Sequence, residues 1–470
     1  MRPYPEPRNR SNPGGRRAGQ AGFVGPPRYG APVIANQLVT PSTEAARVVD
    51  AVLRDLRSGD HRGVVVDSPP GAGKSTLVVR AAGELAAGGE QLMIVAQTNE
   101  QVDDLVERLG VRSPEITVGR LSAVDYEPSA RVRAHPACRV GPKVADLRSP
   151  VVTIGTAAKW ATVADGTWPW AIVDEAYQMR SDALLRVASR FDRALFVGDP
   201  GQLDPFSTVE VDRWVGLSWD PMQSAVAVLL RHNPELPVHR LPVSWRLPHS
   251  AAPVVAEAFY PFTGFRSGTR PGDRLLAFDR PAVSELDEAL DVAAATGWGL
   301  HELPARFTIR TDAEAAAACA GLAARALQRD GGTSSEAGSA VLTAERIAIG
   351  AAHRDQVAVI RALLPPEAAG VTVDTANRLQ GREYDLTVVL HPLSGRRDAT
   401  AFHLESGRLC VLTSRHRHAC VVVARAGIAE LLDAHPSTEP VHLNVPVKFP
   451  DGWEANQAIL AHLHRRLSHK

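Results

Sequence analysis

Lysine is almost missing from this chain of 470 residues. There are five, at positions 74, 143, 159, 448 and 470, against 47 arginines. Arginine therefore serves wherever either cation would do, and a lysine retained in a glycine-rich turn is informative. Cysteine is scarce as well: the four, at 138, 319, 410 and 420, show no C-x-x-C spacing. That argues against a disulfide scaffold or a zinc ribbon and fits a reducing cytoplasm. No apolar run approaches the roughly 18 residues of a membrane span, and the N-terminus lacks the apolar stretch of a signal peptide. No membrane partner is expected, and the expected location is cytoplasmic. Net charge is zero. This speaks against indiscriminate coating of nucleic acid while leaving room for a local basic track. The only close histidine pairs, His416/His418 and His462/His464, read as solvated surface residues rather than a metal site.

What is present is a globular composition, 44% hydrophobic and 22% charged, with length for two to four domains. Residues 1–38 are rich in Pro, Gly and Arg and cannot bury enough apolar surface to order themselves. They read as a disordered tail or, alternatively, as a nonspecific nucleic-acid arm. From about residue 40 strand and helix alternate. An amphipathic helix is expected over Thr43–Leu56, and strands over Gly63–Asp67, Leu92–Ala96, Val151–Gly155, Ala171–Val173 and Ala194–Val197. Thr98 or Asn99 can cap a helix carrying Val102, Leu105, Val106 and Leu109 on one face. The rhythm restarts near Leu241. Strands are expected at Ile347–Ala351, Val371–Asp374, Leu386–Leu390 and Val421–Ala424, helices over Asp312–Gln328 and Asp355–Leu364, and a loop at Thr333–Gly338. Such alternation predicts α/β architecture with parallel sheets. The expected division is a tail to 38, a first domain over 39–235, a second over 236–435 and a C-terminal extension over 436–470. The basic stretch 122–150 interrupts the first domain. It reads as a small strand-gripping insertion built on Arg131, Arg133 and Arg139, or as a surface loop with solvated charges.

The informative lysine is Lys74. Residues 68–75 read SPPGAGKS, between an apolar strand and a helix. Pro69, Pro70, Gly71, Ala72 and Gly73 would turn backbone N–H groups toward a phosphate chain, with Ser75 and Thr76 opening the helix. A compact ammonium on a flexible stem reaches β/γ-phosphates where a planar guanidinium does not fit. Ser75 would ligate Mg²⁺. A nucleotide hydrolase next needs an acid for the metal and one for water, and Asp174 and Glu175 at a strand end supply both.

From here the residues resemble the superfamily 1 helicases, and more closely the branch of RNA-surveillance helicases and their bacterial relatives. The resemblance spans roughly residues 40–425, with the motifs in family order, and implies two tandem RecA-like P-loop NTPase domains. In VGDPGQLDP (197–205), which is similar to the third motif, it puts a γ-phosphate sensor at Gln202. In SWRLPH (244–249) it implies that Trp245 stacks on adenine and Arg246 reaches the phosphates from across the cleft. VDTANRLQGRE (373–383) resembles the fifth motif and supplies Glu383. RLCVLTSRHR (408–417) aligns to the sixth and places a second arginine finger at Arg415. By the same resemblance Thr98, Asn99, Thr153, Gly155 and Thr156 touch a nucleic-acid backbone. The adenine-reading glutamine of the family has no clear counterpart. Glu44 falls near its place and Gln37 lies upstream, so the choice between ATP and GTP stays open.

The expectation is thus a monomeric ATP hydrolase using ATP and Mg²⁺ and moving 5′→3′ on single-stranded DNA or RNA. The competing reading is an ATP-driven switch that remodels a protein partner and binds no nucleic acid.

Overall fold

The computed structural model describes residues 40–205, 214, 220, 223–435 and 452–467. The Arg/Pro/Gly-rich segment 1–38, and Gln37 with it, lies outside the described residues.

The first lobe is a parallel sheet of eight strands: β1 (Gly63–Asp67), β2 (Leu92–Ala96), β3 (Val118–Leu121), β4 (Cys138–Gly141), β5 (Val152–Thr156), β6 (Trp168–Asp174), β7 (Phe191–Gly198) and β8 (Val238–Arg240). Their spatial order is β4-β3-β5-β2-β6-β7-β1-β8. The central strands are near-continuous apolar runs because helices cover both faces. Val64, Val66, Leu92 and Ile94 face the helix Lys74–Ala87, while Val65, Met93 and Val95 face Trp160 and Trp168. Register sets the site. Asp67 pairs with Gly198, and Asp174 with Val197, so β1, β6 and β7 end at one edge and the loops after them converge there. The stretch 122–150 does not form a separate module. It supplies β4, which extends this sheet beside β3, and two short helical turns. Arg131 is ion-paired to Asp104 and Glu107 at 3.8 and 3.4 Å.

After Arg240 the chain enters the second lobe through β9 (Val243–Ser244), which pairs with β10 (Arg266–Ser267). A small antiparallel sheet follows, of β11 (Leu275–Phe278), β13 (Gly331–Ser335) and β14 (Gly338–Val341). The expected loop at Thr333–Gly338 is therefore corrected to a β-hairpin. Its string TSSEAG, the end of β13 and the turn, carries no apolar alternation, and within it Thr333 alone is buried. The main second sheet is parallel and holds β12 (Trp298–Leu303), β15 (Ile347–Ala351), β16 (Thr372–Thr375), β17 (Tyr384–Leu390) and β18 (His416–Arg425), in the order β12-β18-β17-β15-β16.

The helix Gly452–Leu467 is part of this lobe's core. Ala455, Ile459, Leu460 and Leu463 pack with Val255, Phe259 and Leu409. Ile459 is fully buried, so Ile459→Ala is expected to cost about 2–4 kcal/mol of unfolding free energy through lost contacts and the cavity left behind. Urea titration of the purified variant measures it, and a cost below about 0.5 kcal/mol would show that the helix does not contribute to the core.

Candidate active site

The phosphate loop follows β1. Gly71 (φ 72°) and Gly73 (φ 90°) both adopt the left-handed conformation that glycine reaches without strain. At Gly71 there is a second reason for glycine, since an added Cβ would come within 2.2 Å of the Arg246 Cβ. The loop is joined to the start of the second lobe by two hydrogen bonds. Ser244 Oγ donates to the Pro70 carbonyl at 2.6 Å, and the Trp245 N–H donates to the Gly71 carbonyl at 2.9 Å.

Lys74 opens the helix Lys74–Ala87. Its Nζ lies 2.7 Å from Asp174 Oδ1 and 2.7 Å from Glu175 Oε1. Burial by itself would lower the ammonium pKa, but the two carboxylates outweigh it and hold the pKa above its ordinary value. The lysine therefore stays charged and rests on the acids at the end of β6. Glu175 has φ 52°, an unusual conformation for a non-glycine residue. Outliers of this kind persist where the surroundings over-determine them, commonly at functional sites.

The loop after β7 is organised by Asp199. Its carboxylate accepts hydrogen bonds from the Gly201 N–H (3.0 Å), Tyr260 Oη (2.5 Å) and Gln202 Nε2. Burial pushes the Asp199 pKa up to about 6, although those three donors act against the rise. Gln202 is thereby held with its Oε1 buried and, among the described residues, without a hydrogen-bond partner. Gly407 packs on the same loop, where an added Cβ would sit 2.5 Å from the Gln202 carbonyl oxygen.

The second lobe supplies arginines. Arg246 Nε lies 3.0 Å from Glu383 Oε1, and Arg417 lies 3.3 Å from Glu383 Oε2. Arg274 supports the arginine's backbone, donating to the carbonyls of Arg246 and, at 2.7 Å, Trp245. Arg415 is only 1% exposed. Its Nε donates to the Val411 carbonyl at 3.1 Å and its Nη2 to Ser414 Oγ at 2.9 Å, and it makes no ion pair among the described residues. Burial, and then the charge of Arg246, pushes its pKa down to about 10, which leaves it cationic at neutral pH. Trp245 is 39% exposed with its ring against Gly268.

These groups enclose one cavity of about 390 Å³. Ser68 through Thr76, Glu175 and Gln202 line it from the first lobe, and Trp245, Arg246, Glu383 and Arg415 from the second. Gly381, a matching position of the fifth-motif string, also lines it, as do Arg108 and Asp199, which were not expected from the sequence. Asp199 sits inside the third motif and could have been read there. Arg108, Tyr260 and Arg274 carry no local signal, because their partners are distant in sequence. Glu44 is ion-paired with Arg266.

The cavity suits a nucleotide triphosphate. It offers left-handed glycines at a helix start, a lysine ammonium, a buried amide oxygen and a buried guanidinium that makes no ion pair among the described residues. The described residues gather no group of three His, Cys, Asp or Glu side chains that could hold a metal. The oxygen donors beside the loop are the Ser75 hydroxyl and the Asp174 carboxylate. Two donors of this type suit Mg²⁺, which keeps waters and takes phosphate oxygens for the rest of its shell.

The residues expected to touch a strand fare unevenly. Thr98 caps the helix Asn99–Arg112, its hydroxyl accepting from the Gln101 N–H at 3.3 Å, and it also lines the groove between the lobes. The Asn99 side chain is engaged by Arg120, whose Nη2 donates to Asn99 Oδ1 at 3.1 Å. Thr156 caps the turn Ala157–Trp160. The assignments of Thr153 and Gly155 are corrected. Both are buried in β5, and an added Cβ at Gly155 would sit 3.2 Å from Trp160 Nε1. Gly155 makes room for the indole that bonds the Ile94 carbonyl; neither residue presents a group to a strand.

The pair His416/His418 is likewise not solvated as expected, whereas His464 is 45% exposed. His416 is fully buried and stacks edge-on against Trp298, and His418 Nδ1 lies 3.2 Å from Asp385 Oδ1. Burial depresses the pKa of His416 to about 3 and that of His391 to about 4. A depressed folded-state pKa gives stability that is present above the unfolded value near 6.5 and lost as pH falls toward the folded one. The melting temperature is therefore expected to hold above pH 7 and to drop by several degrees between pH 6.5 and 4. Differential scanning fluorimetry across that range checks it, and a flat profile would show that these imidazoles are not buried in the neutral form.

Residues 49–215 match one family model described as an AAA domain, and residues 313–427 match another of the same description. No curated protein matches the chain. Among solved structures, the chain is similar to the helicase of PRRSV at 14% identity and a TM-score of 0.39, with 82% of this chain and 54% of that one covered. It is also similar to the arterivirus nonstructural protein 10 helicase in complex with DNA, at 14% identity and a TM-score of 0.42, with 83% of this chain and 65% of that one covered. The chain thus spans less than two thirds of the length of either structure.

Proposed function

We propose that this chain is a superfamily 1 helicase that hydrolyses ATP with Mg²⁺ and uses the cycle to move 5′→3′ along single-stranded nucleic acid; the two AAA-domain matches support the reading. The observation that carries the reading is Arg415. A buried guanidinium with no ion pair, lining the same cavity as Lys74 but on the opposite lobe, is a cation kept for an anion that comes and goes.

Each side chain has a task in that reading. Lys74 leaves Asp174 and Glu175 for the phosphates, which frees both acids. Ser75 and Asp174 would hold the metal, which when bound would neutralise phosphate charge. Glu175 takes the proton of the attacking water, and Gln202 Oε1, already fixed by Asp199, positions that water or the terminal phosphate. Arg246 and Arg415 stabilise charge on the transferred phosphoryl group from the second lobe. Binding in a cavity shared by both lobes draws them together, and hydrolysis releases them.

The test is the ATPase rate with and without matched DNA and RNA oligomers. Stimulation of ten-fold or more supports a motor, and the better activator names the track. No stimulation by either sinks the motor and favours the protein-remodelling switch. Displacement of streptavidin from a 3′-biotin rather than a 5′-biotin oligomer tests the direction.

A further inference from the structure

The small antiparallel sheet of the second lobe has a surface edge. β14 is exposed throughout, and so are Glu336 and Ala337, the turn that joins it to β13. The acid of that turn nevertheless reaches a buried partner. Glu336 Oε2 lies 3.2 Å from Nε of Arg274, whose side chain is only 4% exposed.

All three nitrogens of that guanidinium are engaged. Nη1 donates to the Arg246 carbonyl and Nη2 to the Trp245 carbonyl at 2.7 Å, which leaves Nε for Glu336. The strand β9 ends at Ser244, so the next two carbonyls lie past its ladder and take their bonds from a side chain instead. A guanidinium is a rigid planar fork, and moving one of its acceptors moves it against the other two. Burial alone would raise the Glu336 pKa, but its own backbone N–H and Arg274 outweigh burial and hold the pKa below its ordinary value.

The hairpin that carries Glu336 is itself fixed in register. Leu275, next to Arg274, pairs with Ser334 across the sheet. The Ser334 carbonyl lies 3.2 Å from His418 Nε2, on the strand that begins just past Arg415. Within the turn, Ser335 Oγ accepts from the Ala337 N–H at 3.3 Å.

We infer that Glu336 is a positioning residue for nucleotide turnover: acting through Arg274, it holds the Trp245–Arg246 backbone so that the Arg246 guanidinium meets the phosphates where charge develops. It touches no substrate itself. The inference rests on the role given to Arg246 in the proposed function and adds what aims that arginine.

The experiment is a double-mutant cycle of Glu336→Ala and Arg246→Ala, read by single-turnover release of labelled γ-phosphate from ATP. Glu336→Ala is expected to lower the maximal rate about 3- to 10-fold, less than the 10²-fold that a 1 Å misplacement can cost, because Glu383 still steadies the Arg246 side chain. The half-saturating concentration should change by less than about two-fold, since the loss falls on the transition state. Glu336→Gln keeps an acceptor for Arg274 Nε and should stay within about two-fold of the wild-type rate. In the Arg246→Ala background Glu336→Ala should cost nothing more, because no guanidinium is left to aim. A general loss of folded protein would instead lower the rate by the same factor in both backgrounds. A wild-type rate in Glu336→Ala, a Glu336→Gln variant as slow as Glu336→Ala, or losses that multiply in the double variant overturn the inference and leave the proposed function standing. If the wild type releases no phosphate, or Arg246→Ala releases it at the wild-type rate, the proposed function fails at that point and the inference fails with it.

Discussion

Replacing Arg415 with alanine is expected to lower nucleotide turnover by about 10³–10⁵-fold, the range found for arginines that act on the transferred phosphoryl group, with nucleotide affinity changed far less. The two effects separate because the guanidinium contributes most where charge accumulates in the transition state. The loss should therefore appear in kcat rather than in KM. The fold should survive, since the residue removed is a buried cation with no ion pair, and removing it leaves no carboxylate stranded. Steady-state kinetics together with binding of a fluorescent nucleotide analogue checks this. A variant with kcat within ten-fold of wild type would make Arg415 a packing residue.

Lys74→Ala is expected to abolish measurable turnover, a loss of at least about 10²–10³-fold for one charged group at the phosphates, and also to destabilise the protein. The second effect follows from the nucleotide-free arrangement. With the ammonium gone, Asp174 and Glu175, both buried, face each other uncompensated, and breaking a buried charge pair in this way costs about 3–5 kcal/mol. The measurement is the difference in unfolding free energy between wild type and variant by urea titration. Full ATPase activity in the variant would refute the site, and unchanged stability would show that the lysine does not rest on the acids.

The parts of the site legible in the sequence are those whose function is written in consecutive residues. The phosphate loop, Asp174–Glu175 and the Trp245–Arg246 dipeptide each form a short string at the end or the start of a strand, and the strands announce themselves as apolar runs because both faces are covered. Tyr260 and Arg274 stayed hidden for the opposite reason. The hydroxyl that fixes Asp199 arrives from 61 residues away, and the guanidinium beneath Trp245 from 29. Thr153 and Gly155 were misplaced because a hydroxyl and a glycine near a strand end suit phosphate contacts in principle, whereas β5 lies inside the sheet and spends them on packing. The hairpin Gly331–Val341 was invisible since an exposed edge leaves no hydrophobic pattern to read. The helix Gly452–Leu467 lies past the last recognisable motif, yet it closes the second core.

The hydrogen bonds from Ser244 and Trp245 to the phosphate loop, with Gly71 pressed against Arg246, have a mechanical consequence. Arg246 is thus held from both sides, its backbone neighbours by the phosphate loop and its own side chain and carbonyl by Glu383 and Arg274 of the second lobe. Arg415 has no bond to the phosphate loop among the described residues and hangs from the helix Ser406–Thr413 and β18. Any separation of the lobes must therefore break a bond on one side of Arg246, whereas Arg415 can withdraw without giving up an ion pair.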